Sequence, residues 1–240
     1  MRALRRILIV LVILGALLVV VDRVGAWAAQ RVVADQVESE LASSQVQSAP
    51  PEVTVNGVPF LTQVMAGEYR SVTLRLRDVG TGEITLPVVE LTATGVAAPA
   101  STLIEREGPI IADRVEGTAT IGYASVAGLT ELEGIELSAA EGGQLAVRLP
   151  TELANTPVVL VGTADMEVIE GGVRLRVDQL EVEDPPLPPG AEPLVEDLIE
   201  RMAVTVELPP LPYGLTLEGV RAEPDGLAVS VSAVDVPLAR

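Results

Sequence analysis

Fifteen consecutive apolar residues, Ile7 to Val21, follow a cluster of arginines at the N-terminus. As a helix rising about 1.5 Å per residue, this run covers roughly 22 Å, less than the ~30 Å hydrocarbon core of a bilayer. Leu4 and residues 24–29 can extend the run, with Trp27 placed at the membrane interface. A segment of this kind has to leave water, so it predicts either a membrane anchor or a secretory signal.

The two readings differ in whether the segment is removed. Ala26-Trp27-Ala28 resembles the small-residue pattern that signal peptidase cleaves. Asp22 and Arg23 speak against cleavage because they are charged, and helical spacing of apolar residues continues beyond them. We therefore favour an uncleaved anchor, and keep the cleaved signal as the alternative.

Both readings export the rest of the chain, because arginines at positions 2, 5 and 6 remain on the cytoplasmic side. We expect residues 1–28 to form the anchor or signal sequence and residues 29–240 to form the exported domain. The expected location is the cell membrane, crossed once, with the C-terminal domain outside the cytoplasm. Cleavage would instead release that domain.

The exported part is acidic. Three of the 16 basic residues precede the apolar run, whereas all 34 acidic residues follow it. This balance argues against nucleic acid as a partner, because phosphates require a basic surface. It also argues against electrostatic docking on anionic lipid. A lipid contact would have to be made by apolar surface.

Histidine and cysteine are both absent from the sequence. Their absence excludes Ser-His-Asp and Cys-His nucleophile systems, imidazole or thiolate metal sites, and disulfides. Two acidic groups could be imagined as glycosidase carboxylates, but charge runs at strand ends are typically solvated. We therefore expect no enzyme, no cofactor and no metal. These two groups are Glu131, Glu133 and Glu136, and Glu181, Glu183 and Asp184.

Helical and alternating patterns predict an α+β fold. Residues 22–46 are spaced as an amphipathic helix, and a second helix is predicted over 192–203 after proline-rich residues 185–190. Between them, apolar and polar residues alternate in strands such as 72–77, and glycine-containing turns separate the strands. The pattern indicates two or three helices packed on a long antiparallel meander. The turn signals are Gly80–Gly82, Glu141–Gly143, Glu170–Gly172 and Pro224–Gly226.

The small size of the side chains on the apolar faces of the strands leaves two interpretations open. Aromatic residues make up 2% of the chain, and small residues dominate stretches such as 92–98 and 117–120. A sheet rich in Val, Ala and Thr can pack tightly on a helix, which is the default interpretation. The alternative is a cavity left for an apolar guest.

Three short motifs, in order along the chain, resemble the LmeA-like phospholipid-binding family, a group of actinobacterial cell-envelope proteins. They are Gly57–Val64 followed by Gly67 and a strand from Tyr69 to Val79, then Val115–Ile121, then Leu208–Leu215 followed by Gly226-Leu227. The resemblance implies a tubular lipid-binding type of fold, in which a curved antiparallel sheet wraps a long helix around an apolar tunnel. It also implies phospholipid and the membrane as partners. The role it implies is in envelope lipid or lipoglycan biosynthesis, next to enzymes of glycan synthesis.

Lipid-contacting residues are inferred from the pattern of the sequence itself. Pro59 precedes a predicted turn of short helix that carries Phe60, Leu61, Val64 and Met65. This turn is either ordinary core that plugs one end of the barrel or a lip past which a lipid tail slides. Five further residues share strand parity in the last hairpin and would line its inner face, although core packing predicts the same face. These are Leu215, Leu217, Leu227, Val229 and Val231.

Two functions from different classes follow. The exported domain is either a lipid-binding module that shields acyl chains, or a membrane-anchored structural or adaptor protein with a filled core and no lipid ligand.

Overall fold

The structure is a computed structural model of the whole chain. It describes residues 2–43, 45–80, 85–99, 101–102, 108–128, 130, 132, 134–153, 156–170, 172–183, 193, 199, 204–207 and 211–239.

Three helices have described bounds, and the first is by far the longest. Helix α1 spans Arg2–Ser43 without a break and confirms the helix predicted beyond residue 22. Its apolar N-terminal half is exposed, with Ile7–Leu14 and Leu17–Val21 each about half to two-thirds accessible. The short helices are α2, Phe60–Ala66, and α3, Tyr123–Gly128.

Eleven strands have described bounds. They are β1 Glu52–Asn56, β2 Glu68–Gly80, β3 Thr85–Ala97, β4 Ile110–Ile121, β5 Glu136–Ala139, β6 Leu145–Leu153, β7 Thr156–Ile169, β8 Gly172–Val182, β9 Val204–Glu207, β10 Thr216–Glu223 and β11 Gly226–Ala239. The α+β class and the alternating strands are therefore confirmed.

The strands form two sheets instead of the one meander predicted. A six-stranded sheet has the order β1-β2-β3-β4-β11-β10, and a five-stranded sheet has the order β5-β6-β7-β8-β9. Successive strands of the five-stranded sheet pair antiparallel. Alternation along a strand specifies which side chains share a face, but not which strand is the neighbour, so the division was not visible in the sequence.

The predicted turns have three outcomes. The turn at Glu141–Gly143 is a short 3-10 helix between β5 and β6, and Pro224 and Asp225 turn the chain between β10 and β11. Ile169 pairs with Gly172 around the turn predicted at Glu170–Gly172, whose central residue lies outside the described part. Residues 81–84, 185–190 and most of 192–203 also lie outside it, although Pro193 and Ile199 are helical.

The chain divides into two compact units. The first comprises Met1–Leu76, Glu90–Val115 and Val234–Arg240. In this unit, α1 packs against β1 and α2.

The second unit comprises Arg77–Val89 and Glu116–Ala233. Its core lies on one face of the five-stranded sheet, where Leu149 is opposite Leu160 and Leu145 is opposite Ala164. All four of these side chains are at most 3% exposed. Ala222 of β10 and Leu227 of β11 complete this cluster, so the second unit has a filled core.

Candidate functional site

Helix α2 has a defined beginning and end. Pro59 lies directly before Phe60 with an extended backbone and provides no capping side chain of its own. Gly67 ends the helix at φ 70°, in the left-handed region that glycine adopts most easily. The Gly67 carbonyl accepts a hydrogen bond of 2.8 Å from the Ala98 N–H, which ties the end of α2 to the segment after β3.

The missing cap of α2 is provided by helix α1. One carboxylate oxygen of Asp22 accepts a hydrogen bond from the Leu61 N–H at 2.8 Å, and the other accepts one from Arg23 Nε at 3.2 Å. Asp22 is only 5% exposed. A carboxylate at a helix N-terminus satisfies an otherwise unpaired N–H and interacts favourably with the positive end of the helix dipole. Asp22 therefore fixes α2 on α1.

Sequence reasoning missed this contact. The sequence around Asp22 indicates only a charge that speaks against cleavage of the signal, because the partner of Asp22 lies 39 residues further along the chain. Two signals could have indicated it. One is an acidic residue at the end of a long apolar run, and the other is a short helix that starts after proline with no Ser, Thr, Asp or Asn to cap it.

Phe60 is packed between α1 and the start of β2. The side chain is 6% exposed, and its ring lies 3.6 Å from the point where a Cβ on Gly25 would stand. The ring of Tyr69 lies on another side at a centroid distance of 6.3 Å. Burial raises the pKa of the Tyr69 hydroxyl above its ordinary value. Gly25 thus leaves the space that the only phenylalanine of the chain occupies.

The other three residues predicted on this turn do not share the environment of Phe60. Leu61 and Val64 are half-buried, and Leu61 also borders Gly25. Met65 points outward and is 89% exposed. The helix predicted here is confirmed, but it brings its four apolar side chains to different surroundings. The role of these residues in lipid contact stays a prediction.

Side-chain contacts assign the two faces of β2 and β3. Thr73 and Thr92 are joined by a hydrogen bond of 3.2 Å between their hydroxyls, and Arg75 forms an ion pair with Glu90. These four residues therefore lie on one polar face. Because side chains alternate along a strand, the residues next to them project from the opposite face.

That opposite face is apolar and only partly buried. We call Val72, Leu74, Leu91 and Ala93 the half-covered face, since each keeps an intermediate accessibility while Leu76 beyond them is 7% exposed. Residues 86–95 of β3 are all intermediate, whereas β6 alternates between buried and accessible side chains. The half-covered face therefore keeps apolar surface that the described residues do not fully cover.

In the second unit, side-chain exposure also differs along the last hairpin, β10 and β11. Leu217 pairs with Val231 and Ala222 with Leu227, while a bulge between Leu217 and Gly219 brings Val220 opposite Val229. Leu227 belongs to the filled core at 7% exposure, but Leu217, Val229 and Val231 are half-buried. The register places these predicted residues on one face. Leu215, also half-buried, precedes the first residue of β10.

A groove of about 500 Å³ lies between α1 and the segment that leads into β1. Trp27, Pro51 and Val53 give it apolar walls, while Arg31 and Asp35 add opposite charges. The Arg31 guanidinium carbon lies 5.8 Å from the centroid of the Trp27 ring, within the range of a cation–π interaction. The lining of the groove therefore combines apolar and charged side chains.

Two of the carboxylates considered as glycosidase groups, Glu136 and Glu183, form an exposed ion-pair cluster with Arg148. Arg148 Nη1 lies 3.1 Å from a Glu136 carboxylate oxygen, and Arg148 Nε lies 3.3 Å from one of Glu183. The hydrogen bonds that Arg148 donates to Glu136, and then to Glu183, raise the pKa of Arg148. All three side chains are well exposed, which fits the solvated interpretation. Glu131, Glu133 and Asp184 lie outside the described residues.

One helix in the described part of the chain is long and apolar enough to cross a membrane. This is α1 near the N-terminus, and the most apolar 18-residue window in it is 6% buried. A membrane anchor and a signal sequence both fit this observation.

Together these features define an α+β protein with a long N-terminal helix, antiparallel sheets and accessible apolar surface. The family model described as LmeA-like phospholipid-binding matches residues 20–232. The chain therefore belongs to the LmeA-like phospholipid-binding family, and the resemblance found in its three motifs is confirmed. Membership indicates lipid binding and phospholipid as a partner. No curated protein and no solved structure gives a significant match.

Proposed function

We propose that the chain is a membrane-anchored phospholipid-binding protein that shields acyl chains against the half-covered face. The observation that supports this most directly is the accessible surface kept by Val72, Leu74, Leu91 and Ala93. Burial of an acyl chain of ordinary length is worth on the order of 10 kcal/mol at ~0.8 kcal/mol per methylene. Apolar contact alone can therefore hold a lipid on this acidic protein.

The exposed apolar half of α1 supports retention in the membrane. In this arrangement the apolar residues 7–21 lie in the bilayer, the arginines before them remain in the cytoplasm, and the domain that follows lies outside. The family match begins at residue 20, inside α1, and the helix that carries the apolar run continues unbroken into the matched region.

The protein then binds lipid and does not transform it. A bound phospholipid would be protected from water while it is presented to, or received from, enzymes of envelope lipid or lipoglycan synthesis. Family membership supports phospholipid as the ligand, and the exposed apolar half of α1 supports a position at the membrane. Those enzymes are the proposed partners.

The test compares two neighbouring residues on opposite faces of β3. The full chain is extracted in mild detergent and examined by native mass spectrometry as wild type, as Leu91→Asn and as Thr92→Asn. Leu91 belongs to the half-covered face and Thr92 to the polar face. We expect phospholipid on the wild type and on Thr92→Asn, and clearly less on Leu91→Asn. Equal occupancy in the two variants would contradict the assignment of the lipid to this face.

A second function is favoured by the filled core of the five-stranded sheet, where Leu145, Val147 and Leu160 are at most 5% exposed. A domain packed in this way can act as a membrane-anchored structural or adaptor protein. A wild-type mass free of lipid under the same gentle conditions would support that function over the first.

A further inference from the structure

Exposed apolar residues lie next to the membrane-spanning part of α1. We define the interfacial turn as residues 58–66, which comprise the two residues before α2 and α2 itself. Val58 is 64% exposed and Met65 is 89% exposed, the highest value among the exposed large apolar side chains that the structure describes. We propose that the interfacial turn dips into the surface of the membrane that anchors α1, with Val58 and Met65 in contact with lipid. This inference rests on the anchor of the proposed function.

The contact between the two helices fixes the level of the turn along α1. Asp22 accepts the hydrogen bond of Leu61, and Phe60 packs on Gly25. A helix needs about 20 residues to cross the hydrocarbon core, so a span that begins at Ile7 ends near Ala26. The interfacial turn is therefore attached to α1 within about 6 Å of the outer boundary of the hydrocarbon.

The turn is short enough to remain at that level. Met65 is five residues beyond Phe60 in the same helix, which corresponds to roughly 8 Å along its axis. The headgroup region extends each side of the bilayer by about 5–8 Å. Met65 consequently stays close to the headgroups.

Charge supports the same partner. Residues 53–67 contain no charged side chain, although the whole chain has a net charge of −18. Anionic headgroups repel acidic protein surface, so the uncharged stretch between Glu52 and Glu68 is a part of the exported domain that can approach lipid closely. Asp22 at the same level does not oppose insertion, because the Leu61 N–H and Arg23 already bind its carboxylate.

The experiment uses the absence of cysteine from the chain. Three single variants of the full chain, Val19→Cys, Met65→Cys and Ala42→Cys, are labelled with a nitroxide and reconstituted into vesicles of phosphatidylcholine and phosphatidylglycerol. Collisions of each label with oxygen, which concentrates in lipid, and with a water-soluble nickel chelate are measured by electron paramagnetic resonance. Val19 reports on the anchor, and Ala42 lies on the same helix about 24 Å beyond Ala26.

We expect the label at Met65 to collide with the nickel chelate several-fold less often than the label at Ala42, and with oxygen more often. A label at Met65 as accessible to nickel as the one at Ala42, while Val19 is protected, would overturn the inference and leave the anchor intact. Protection from both oxygen and nickel would also overturn it, because the label would then be covered by protein. Nickel access at all three positions would overturn the inference and the anchor together.

Discussion

The five-stranded sheet and the paired strands β2 and β3 contain similar aliphatic residues but bury them to different degrees. In the five-stranded sheet, large aliphatic side chains meet across strands, and Leu160 opposite Leu149 is completely buried. On the half-covered face, Leu74 and Leu91 keep accessible surface. The difference teaches that the content of valine and leucine does not decide how deeply the side chains of a sheet face are buried. Burial depends on which other parts of the chain pack over that face.

The largest expected effect is on the free energy of unfolding and concerns Phe60, around which the first unit is tightly packed. Phe60→Ala removes a ring held between Gly25 and Tyr69, and we expect it to lower the free energy of unfolding by about 3–5 kcal/mol. The exposed Met65 provides the control, since Met65→Ala should change stability by less than about 0.5 kcal/mol. Denaturation of the full chain in mild detergent measures both. An unchanged midpoint for Phe60→Ala, combined with loss of bound lipid, would make Phe60 a lip of the site and not a plug.

An intermediate effect compares the two sheet regions directly. Leu160→Ala leaves a cavity in the filled core and should cost about 2–5 kcal/mol, whereas Leu91→Ala on the half-covered face should cost about 1 kcal/mol. The same denaturation experiment, made on protein freed of lipid, measures the pair. Similar losses for the two leucines would show that the half-covered face is ordinary core.

The smallest effect is local to the contact between α1 and α2. Asp22→Ala removes the acceptor of the Leu61 N–H, so we expect amide hydrogen exchange at the start of α2 to become several-fold faster. Asp22→Asn keeps a neutral acceptor oxygen and should cause a smaller increase. The strands of the filled core should exchange unchanged in both variants. No change at Leu61 in Asp22→Ala would mean that α2 is held in place by Phe60 alone.

Much of the fold could be predicted from local patterns. Alternation located β2 correctly, and the spacing of apolar residues located the helix beyond residue 22. The proline before Phe60 indicated the start of α2. These features are short-range, and each depends on residues a few positions apart.

The features that escaped prediction depend on distant residues. The Asp22–Leu61 contact joins two helices, and the division into two sheets depends on strand neighbours. The bulge after Leu217 also could not be foreseen, because the parity of Leu215 and Leu217 does not show where an extra residue enters β10. Accessibility of Leu91 or Val231 likewise depends on what lies above the sheet, and sequence parity contains no information about it.

The continuity of α1 has a geometric consequence for the turn it holds. Because the helix is unbroken from Arg2 to Ser43, each residue advances the direction of its side chain by about 100°. The side-chain directions of residues 7–21 and the direction in which Asp22 holds α2 therefore have a fixed angular relation. Rotation of residues 7–21 about the axis of α1 therefore also sets the side of α1 on which the interfacial turn lies. A one-residue insertion within the run would preserve hydrophobicity yet swing the turn by more than a quarter of a circle.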